Sequence, residues 1–226
     1  MWFYKIIPYS LTICDQLIQH SLAKDLMELD VSRRRIKLDK ELNELDHLVI
    51  DFTKILNANK TDYVLVSGYI SILFGRSRSS EDIDLVVKKI SRKQFSILWQ
   101  ALSEKGFECI TTDDPKNAYD RYLMKRSAIR FAKEGTFIPN MEFKFPKTEL
   151  DKWAVAYAKK VVLNGNAIKI SPIELQVPFK LFLGSEKDIE DAKYLYKLFK
   201  ETLDKRLLAY FLENLDKEDK FNKYLA

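Results

Sequence analysis

The stretch Tyr63-Val64-Leu65-Val66-Ser67-Gly68-Tyr69, followed after twelve intervening residues by Asp82-Ile83-Asp84-Leu85-Val86-Val87, decides how this chain is read. An apolar run that ends in Ser-Gly reads as a strand turning tightly into a helix. The second segment reads as a strand carrying two carboxylates two residues apart. Side chains alternate faces along a strand, so Asp82 and Asp84 point the same way, roughly 6–7 Å apart, while Ile83, Leu85 and Val87 point into the core. At an effective dielectric of about 20 their repulsion is about 2–3 kcal/mol, so the pair needs a counter-ion. Hard oxygen ligands on a rigid strand suit a divalent cation, and the pattern points to magnesium and phosphate chemistry.

Composition narrows the field. With 226 residues, 46% of them hydrophobic, the chain can bury a core as one large domain or as a compact domain with helical additions. Thirty-eight basic residues against 33 acidic ones leave a net charge of +5, which permits a nucleic-acid partner without demanding one. The only cysteines, Cys14 and Cys109, have no paired-ligand spacing. That fits a reducing cytoplasm and argues against a disulfide framework or a zinc ribbon. The only histidines, His20 and His47, lie away from the strand motifs, which argues against a Ser-His-Asp or Cys-His enzyme. No apolar run reaches the ~18–20 residues of a membrane span. Lys5 and Pro8 interrupt the apolar opening, which reads as a packed segment rather than a signal peptide.

From Leu11 to Leu56 apolar residues recur every three or four positions, among them Leu22, Leu26, Leu29, Leu38, Leu42, Leu45, Leu48 and Phe52. This spacing predicts amphipathic helices, broken at Asp30-Val31 with Ser32 as the next N-cap and Arg33-Arg34-Arg35 on a solvated face or an RNA contact. Between Thr61 and Ser171 the period shifts toward two. Strands are predicted at 62–67, 83–87, 107–111, 128–132 and 138–145, with helices at 69–74 and 91–104, the latter capped by Ser91. Asn164-Gly165 marks a hairpin between 160–163 and 167–170. Ser171-Pro172-Ile173-Glu174 then signals a helix start, Gly184 its end, and helices over 187–200 and 204–215 follow. The expected organisation is a helical segment over 1–60, a catalytic core over 61–170 and a helical segment over 171–226 packed on that core.

Nucleotidyl transfer asks a protein to align an attacking hydroxyl with a phosphorus and to stabilise charge with metal ions. Backbone N–H groups at Ser67 and Gly68 can approach triphosphate oxygens where the strand turns into the helix. A third carboxylate on a neighbouring strand would complete an acidic set. Glu142, alternating between Met141 and Phe143, offers one, with an ordinary solvent-facing glutamate as the equal alternative. Arg78 reads either as a phosphate ligand or as a partner of Glu81 or Asp82. No Gly-x-x-x-x-Gly-Lys loop, nucleophile elbow or EF-hand spacing occurs.

These residues resemble the nucleotidyltransferase superfamily of DNA polymerase β, and within it the AbiEii-like toxins of type IV toxin–antitoxin systems. One block of likeness runs from Val66-Ser67-Gly68-Tyr69 to Asp82-Ile83-Asp84. A second runs from Ser171-Pro172-Ile173-Glu174 through Lys180 to Lys187-Asp188-Ile189-Glu190-Asp191-Ala192. The turn is Ser-Gly where many members have Gly-Ser, and the third acid is Glu where Asp is commoner.

The resemblance implies an α+β fold, a polymerase β-like mixed sheet with helices. It implies that Asp82, Asp84 and Glu142 hold two Mg²⁺ ions, or Mn²⁺ in their place. Ser67, Gly68, Arg78, Lys180, Lys187 and Asp188 would then bind the nucleotide. The implied enzyme moves NMP from a nucleoside triphosphate to a hydroxyl on a tRNA end, a protein or a small molecule, in the cytoplasm and away from membranes, with an antitoxin protein as partner. The alternatives are a catalytically silent fold that binds nucleotide, and RNA binding through Arg33-Arg34-Arg35 and the Tyr119 to Tyr122 segment.

Overall fold

The computed structural model describes residues 27–31 and 35–225. In chain order the elements are β1 (Met27–Val31), β2 (Arg35–Lys40), α1 (Glu44–Ala58), β3 (Tyr63–Leu65), α2 (Gly68–Leu73), β4 (Asp82–Val87), α3 (Arg92–Ser103), β5 (Phe107–Cys109), α4 (Pro115–Asn117) with short turns to residue 125, β6 (Ile129–Lys133), β7 (Asn140–Lys144), α5 (Glu149–Ala156), β8 (Lys159–Leu163), β9 (Asn166–Ile170), α6 (Ile173–Leu183), α7 (Glu186–Phe199), α8 (Lys205–Leu215) and α9 (Glu218–Tyr224). The nine strands among the described residues make one mixed sheet in the order β1-β2-β8-β9-β3-β4-β7-β6-β5. This is the expected α+β architecture.

The strand alternation read from the sequence sorts the two faces. Ile83, Leu85 and Val87 of β4 and Met141 and Phe143 of β7 join the main core, where α1 and α3 also place Phe52, Phe95 and Leu98. Val64 and Val86 point the other way, into a smaller cluster with Ala154 of α5, Leu175 of α6 and Phe211 of α8. Beyond that cluster the same face of β4 and β7 turns polar, and the carboxylates lie there. Each fully buried aliphatic or aromatic side chain contributes about 1.5–3 kcal/mol. The position of the polar strip is therefore fixed by the apolar residues alternating with it.

Two expectations are corrected here. Residues 27–40 were expected to be helical and instead form the antiparallel hairpin β1–β2, with Leu29 opposite Leu38. β2 also pairs in parallel with β8, which buries Ile36 and Leu38. A period-two pattern through Met27, Leu29 and Val31, and again through Ile36 and Leu38, competes with the three-and-four spacing, and the ladder with β8 decides between them. Ser171 was expected to cap α6, but the helix begins at Ile173 after Pro172, and the buried Ser171 hydroxyl has no hydrogen-bond partner. Glu174 instead accepts from the Asp204 N–H at 3.2 Å, tying α6 to the start of α8.

The helical reading of residues 11–26, Ser32 as a cap, the Arg33-Arg34-Arg35 side chains, Cys14 and His20 lie outside the described residues or their described side chains. Among the described residues no helix is long and apolar enough to cross a membrane.

Candidate active site

β4 and β7 run parallel, with Asp82 level with Asn140 and Asp84 level with Glu142. β6 pairs antiparallel with β7 and sets Arg130 beside Glu142. The sheet thus carries a row Asp84–Glu142–Arg130 across three strands and places Lys144 one step along β7 on the same face. Lys144 Nζ lies 2.6 Å from Asp84 Oδ1 and 3.1 Å from Glu142 Oε1. Arg130 Nη2 donates to Glu142 Oε2 at 2.8 Å. Asp82 Oδ1 accepts from Asn140 Nδ2 at 2.8 Å and has Arg130 Nε at 3.8 Å.

The third carboxylate expected from the sequence is therefore beside the aspartates, not turned away from them. The two aspartates are not a bare repelling pair either, because Lys144 and Arg130 supply counter-charge. Burial alone would lower the pKa of the Lys144 ammonium, but Asp84 and Glu142 together outweigh it and hold it above its usual value.

The strand-to-helix turn lies against this row. The Val66 N–H donates to the Asp84 carbonyl at 3.0 Å, continuing the β3–β4 ladder into the turn. Ser67 takes φ 65° and ψ −139°, a region that glycine tolerates and other residues enter at a cost of order 1–3 kcal/mol. Gln176 of α6 accepts from the Ser67 N–H at 3.2 Å and helps hold the bend. The Ser67 side chain makes no capping bond to α2.

Arg78 comes back over Gly68, with Nη2 2.8 Å from where a Cβ on that glycine would sit. It pairs with neither Glu81 nor Asp82. Its Nη1 instead bonds Asp191 Oδ2 at 2.6 Å, and Lys180 Nζ bonds the same oxygen at 2.6 Å. Arg76 bonds the other oxygen, Asp191 Oδ1. Asp191 and Lys180 are fully buried, so removing either would strand charge in the interior. Asp188 reaches Lys180 from 3.5 Å and also closes the start of α7 through Ser185. The Lys187 carbonyl accepts from Arg76 at 3.5 Å, and its side chain is exposed.

The candidate residues thus fall into two adjoining groups. Asp82, Asp84 and Glu142 share the sheet face, while Ser67, Gly68, Arg78, Lys180 and Asp188 form a connected network at the turn. Lys187 joins that network by its backbone alone. Sequence reasoning missed Lys144, Arg130, Asn140 and Asp191 as parts of the site. The period of two puts Lys144 and Glu142 on one face and was a usable signal; the role of Asp191 depends on α7 packing against α2 and α6. Tyr119 is buried with its hydroxyl donating to the Ile90 carbonyl at 2.9 Å, which removes it from an RNA-stacking role. Cys109 is a free, half-buried thiol whose pKa burial pushes up.

No three His, Cys, Asp or Glu side chains among the described residues converge on one point to enclose an ion. The donor set nonetheless suits magnesium. That ion keeps several waters and is commonly held by one or two carboxylates together with substrate phosphates. Among the described residues, Oδ2 of Asp82 and Oδ2 of Asp84 take no protein hydrogen bond, and both stand on the face beside the turn.

No protein-family model and no curated protein matches this chain. Among solved structures, an antigenic nucleotidyltransferase-like protein from Paracoccidioides brasiliensis is 19% identical, with a TM-score of 0.51 over 80% of this chain and 91% of that one. The fold is nucleotidyltransferase-like. Two looser likenesses are JHP933 from Helicobacter pylori, 19% identical with a TM-score of 0.43 over 81% of this chain and 80% of that one, and ANT(2")-Ia in complex with adenylyl-2"-tobramycin, 14% identical with a TM-score of 0.45 over 74% and 97%. In this nucleotidyltransferase-like fold, β4 and β7 carry Asp82, Asp84 and Glu142 beside the turn that follows β3.

Proposed function

We propose that this chain is a metal-dependent nucleotidyltransferase, moving NMP from a nucleoside triphosphate to a hydroxyl acceptor with release of pyrophosphate. The observation that carries the reading is the register of β4 on β7, which sets Glu142 level with Asp84 on the face that also bears Asp82, next to a strained Ser67-Gly68 turn under Arg78. Asp82 and Asp84 would hold Mg²⁺, with Glu142 the third acidic group beside them. Bound there, the ion would supply a Lewis acid for the α-phosphate and a means of lowering the acceptor's pKa.

The chain's own residues do the rest. Gly68 presents its backbone N–H toward the triphosphate, while Ser67, whose own N–H is held by Gln176, shapes the turn, and Arg78 neutralises the phosphates from a position fixed by Asp191. Lys180 balances Asp191, so that the buried carboxylate orients both arginines instead of competing with the phosphate. Lys187, exposed at the start of α7, would meet the outer phosphates.

A second reading is a nucleotide-binding protein without turnover. It is favoured by one observation, that both oxygens of Glu142 are already engaged, by Lys144 and by Arg130. A toxin role, an antitoxin partner, a cytoplasmic site of action and an RNA acceptor are further parts of this proposal. They rest on the likeness of the two sequence blocks to AbiEii-like proteins.

The test is incubation with total RNA, Mg²⁺ and each α-³²P-labelled nucleoside triphosphate in turn, beside an Asp82→Asn/Asp84→Asn control. Label moved to RNA or protein by the wild type alone supports transfer and identifies the acceptor class. Magnesium-dependent nucleotide binding with no transfer to RNA, protein or small alcohols would replace transfer with the binding-only reading.

A further inference from the structure

The Lys144 ammonium occupies the point where carboxylates from two strands meet. It lies 2.6 Å from Asp84 Oδ1 and 3.1 Å from Glu142 Oε1, with four-fifths of its side chain withdrawn from solvent. β7 delivers it there because residues 142 and 144 share a face and residue 142 is level with Asp84. With Arg130 on Glu142 Oε2, both oxygens of Glu142 are satisfied by cations of the chain itself. The aspartates are treated differently. Asp82 and Asp84 each use Oδ1 within the protein and keep Oδ2 without a protein hydrogen bond among the described residues.

We propose that Lys144 is a resident cation standing in for a divalent ion between Asp84 and Glu142, so that the chain holds one ion, on Asp82 and Asp84, in place of two. The inference rests on the nucleotidyl-transfer reading above. A lysine ammonium is a compact point charge with three donors, suited to bridging carboxylates that would otherwise share a metal. It is tethered to the strand that carries Glu142, and its departure would leave Asp84 without a cation and Glu142 with Arg130 alone. A second Mg²⁺ would have to displace it while shedding tightly held waters. The role of Glu142 changes accordingly, from metal ligand to the group that positions Lys144.

The experiment is Mn²⁺ titration followed by the electron paramagnetic resonance signal of the free ion. It is run with the wild type, Lys144→Met and Glu142→Gln, each with an equimolar mixture of α,β-methylene analogues of the four ribonucleoside triphosphates. The expected stoichiometries are one Mn²⁺ per chain for the wild type, two for Lys144→Met and one for Glu142→Gln. In chelator, Lys144→Met should melt several degrees below the wild type and recover on adding Mn²⁺, while the wild type gains less. Two ions in the wild type, or the loss of one in Glu142→Gln, would overturn the role of Lys144 and leave the transferase reading standing. One ion in both the wild type and Lys144→Met would reduce Lys144 to an ordinary counter-ion. No ion in the wild type would overturn the transferase reading and this inference with it. Should Lys144→Met not fold, Lys144→Gln, which removes the charge and keeps a polar end, takes its place with the same two ions expected and one ion overturning the inference.

Discussion

The guanidinium of Arg78 rests on Gly68, so close that a Cβ there would stand 2.8 Å from Nη2. Arg78 is in turn held by Asp191, and the glycine is what lets the arginine lie over the turn. Because the crowded atom is the end of a side chain, Gly68→Ala should displace Arg78 and leave the backbone in place. Loss of one charge-assisted contact should weaken triphosphate binding by about tenfold or more, with little change in melting temperature. Calorimetric titration with a non-hydrolysable nucleotide checks this; unchanged affinity would take Arg78 out of the phosphate site.

Ser67 stores backbone strain at φ 65°. Ser67→Gly should relieve it and stabilise the fold by roughly 1 kcal/mol, the gain being reduced by the greater freedom of glycine in the unfolded chain. Ser67→Ala should give no such gain. Urea denaturation of both variants measures the difference, and equal stabilities would show that the turn is not strained by its side chain.

Asp191 balances three cations from inside the protein. Asp191→Asn keeps the shape and removes the charge, leaving Lys180 buried without a full counter-charge while the two arginines retain partial access to water. A loss of about 3 kcal/mol is expected. Adding Lys180→Met should restore part of it, and a denaturant series on the single and double variants tests both statements.

Tyr69 ties α2 to the start of α1, its hydroxyl donating to the buried Asp46 Oδ1 at 2.8 Å, while Lys40 of β2 holds Asp46 Oδ2 at 2.8 Å. Tyr69→Phe should cost about 2 kcal/mol, since a buried carboxylate loses a donor. Burial foremost, and then the charge and hydrogen bond of Asp46, hold the Tyr69 phenol well above 10.0. The folded state therefore keeps a proton that the unfolded chain gives up. The resulting stability is fully present below a pH of about 10 and is lost as pH rises beyond it. Tyr69→Phe should flatten the fall of unfolding free energy above that pH, measured by urea titration at several alkaline pH values.

Local pattern carried much of this molecule. The alternation in 82–87 put Asp82 and Asp84 on one face of their strand, and that in 140–144 put Glu142 and Lys144 on one face of theirs. Asn164-Gly165, both at positive φ, specified the β8–β9 hairpin, and Ser91 with Gln94 forms the capping box that starts α3. These features depend on residues near one another in the chain, where backbone geometry and short-range hydrogen bonds dominate.

The sequence by itself determined the mixed α+β class, the strand that carries the two aspartates and the turn beside it, and it offered Glu142 as a candidate whose place beside them the register of β4 on β7 decided. Only the tertiary structure decided that residues 27–40 pair as strands, because β8, more than a hundred positions away, supplies the ladder that helix spacing could not foresee. It alone decided that Lys144 and Arg130 neutralise the acidic row and that Asp191 gathers Arg76, Arg78 and Lys180. Charge pairing depends on which side chains are brought together in space and shielded from water. Local periodicity fixes the face of a residue but not its neighbour.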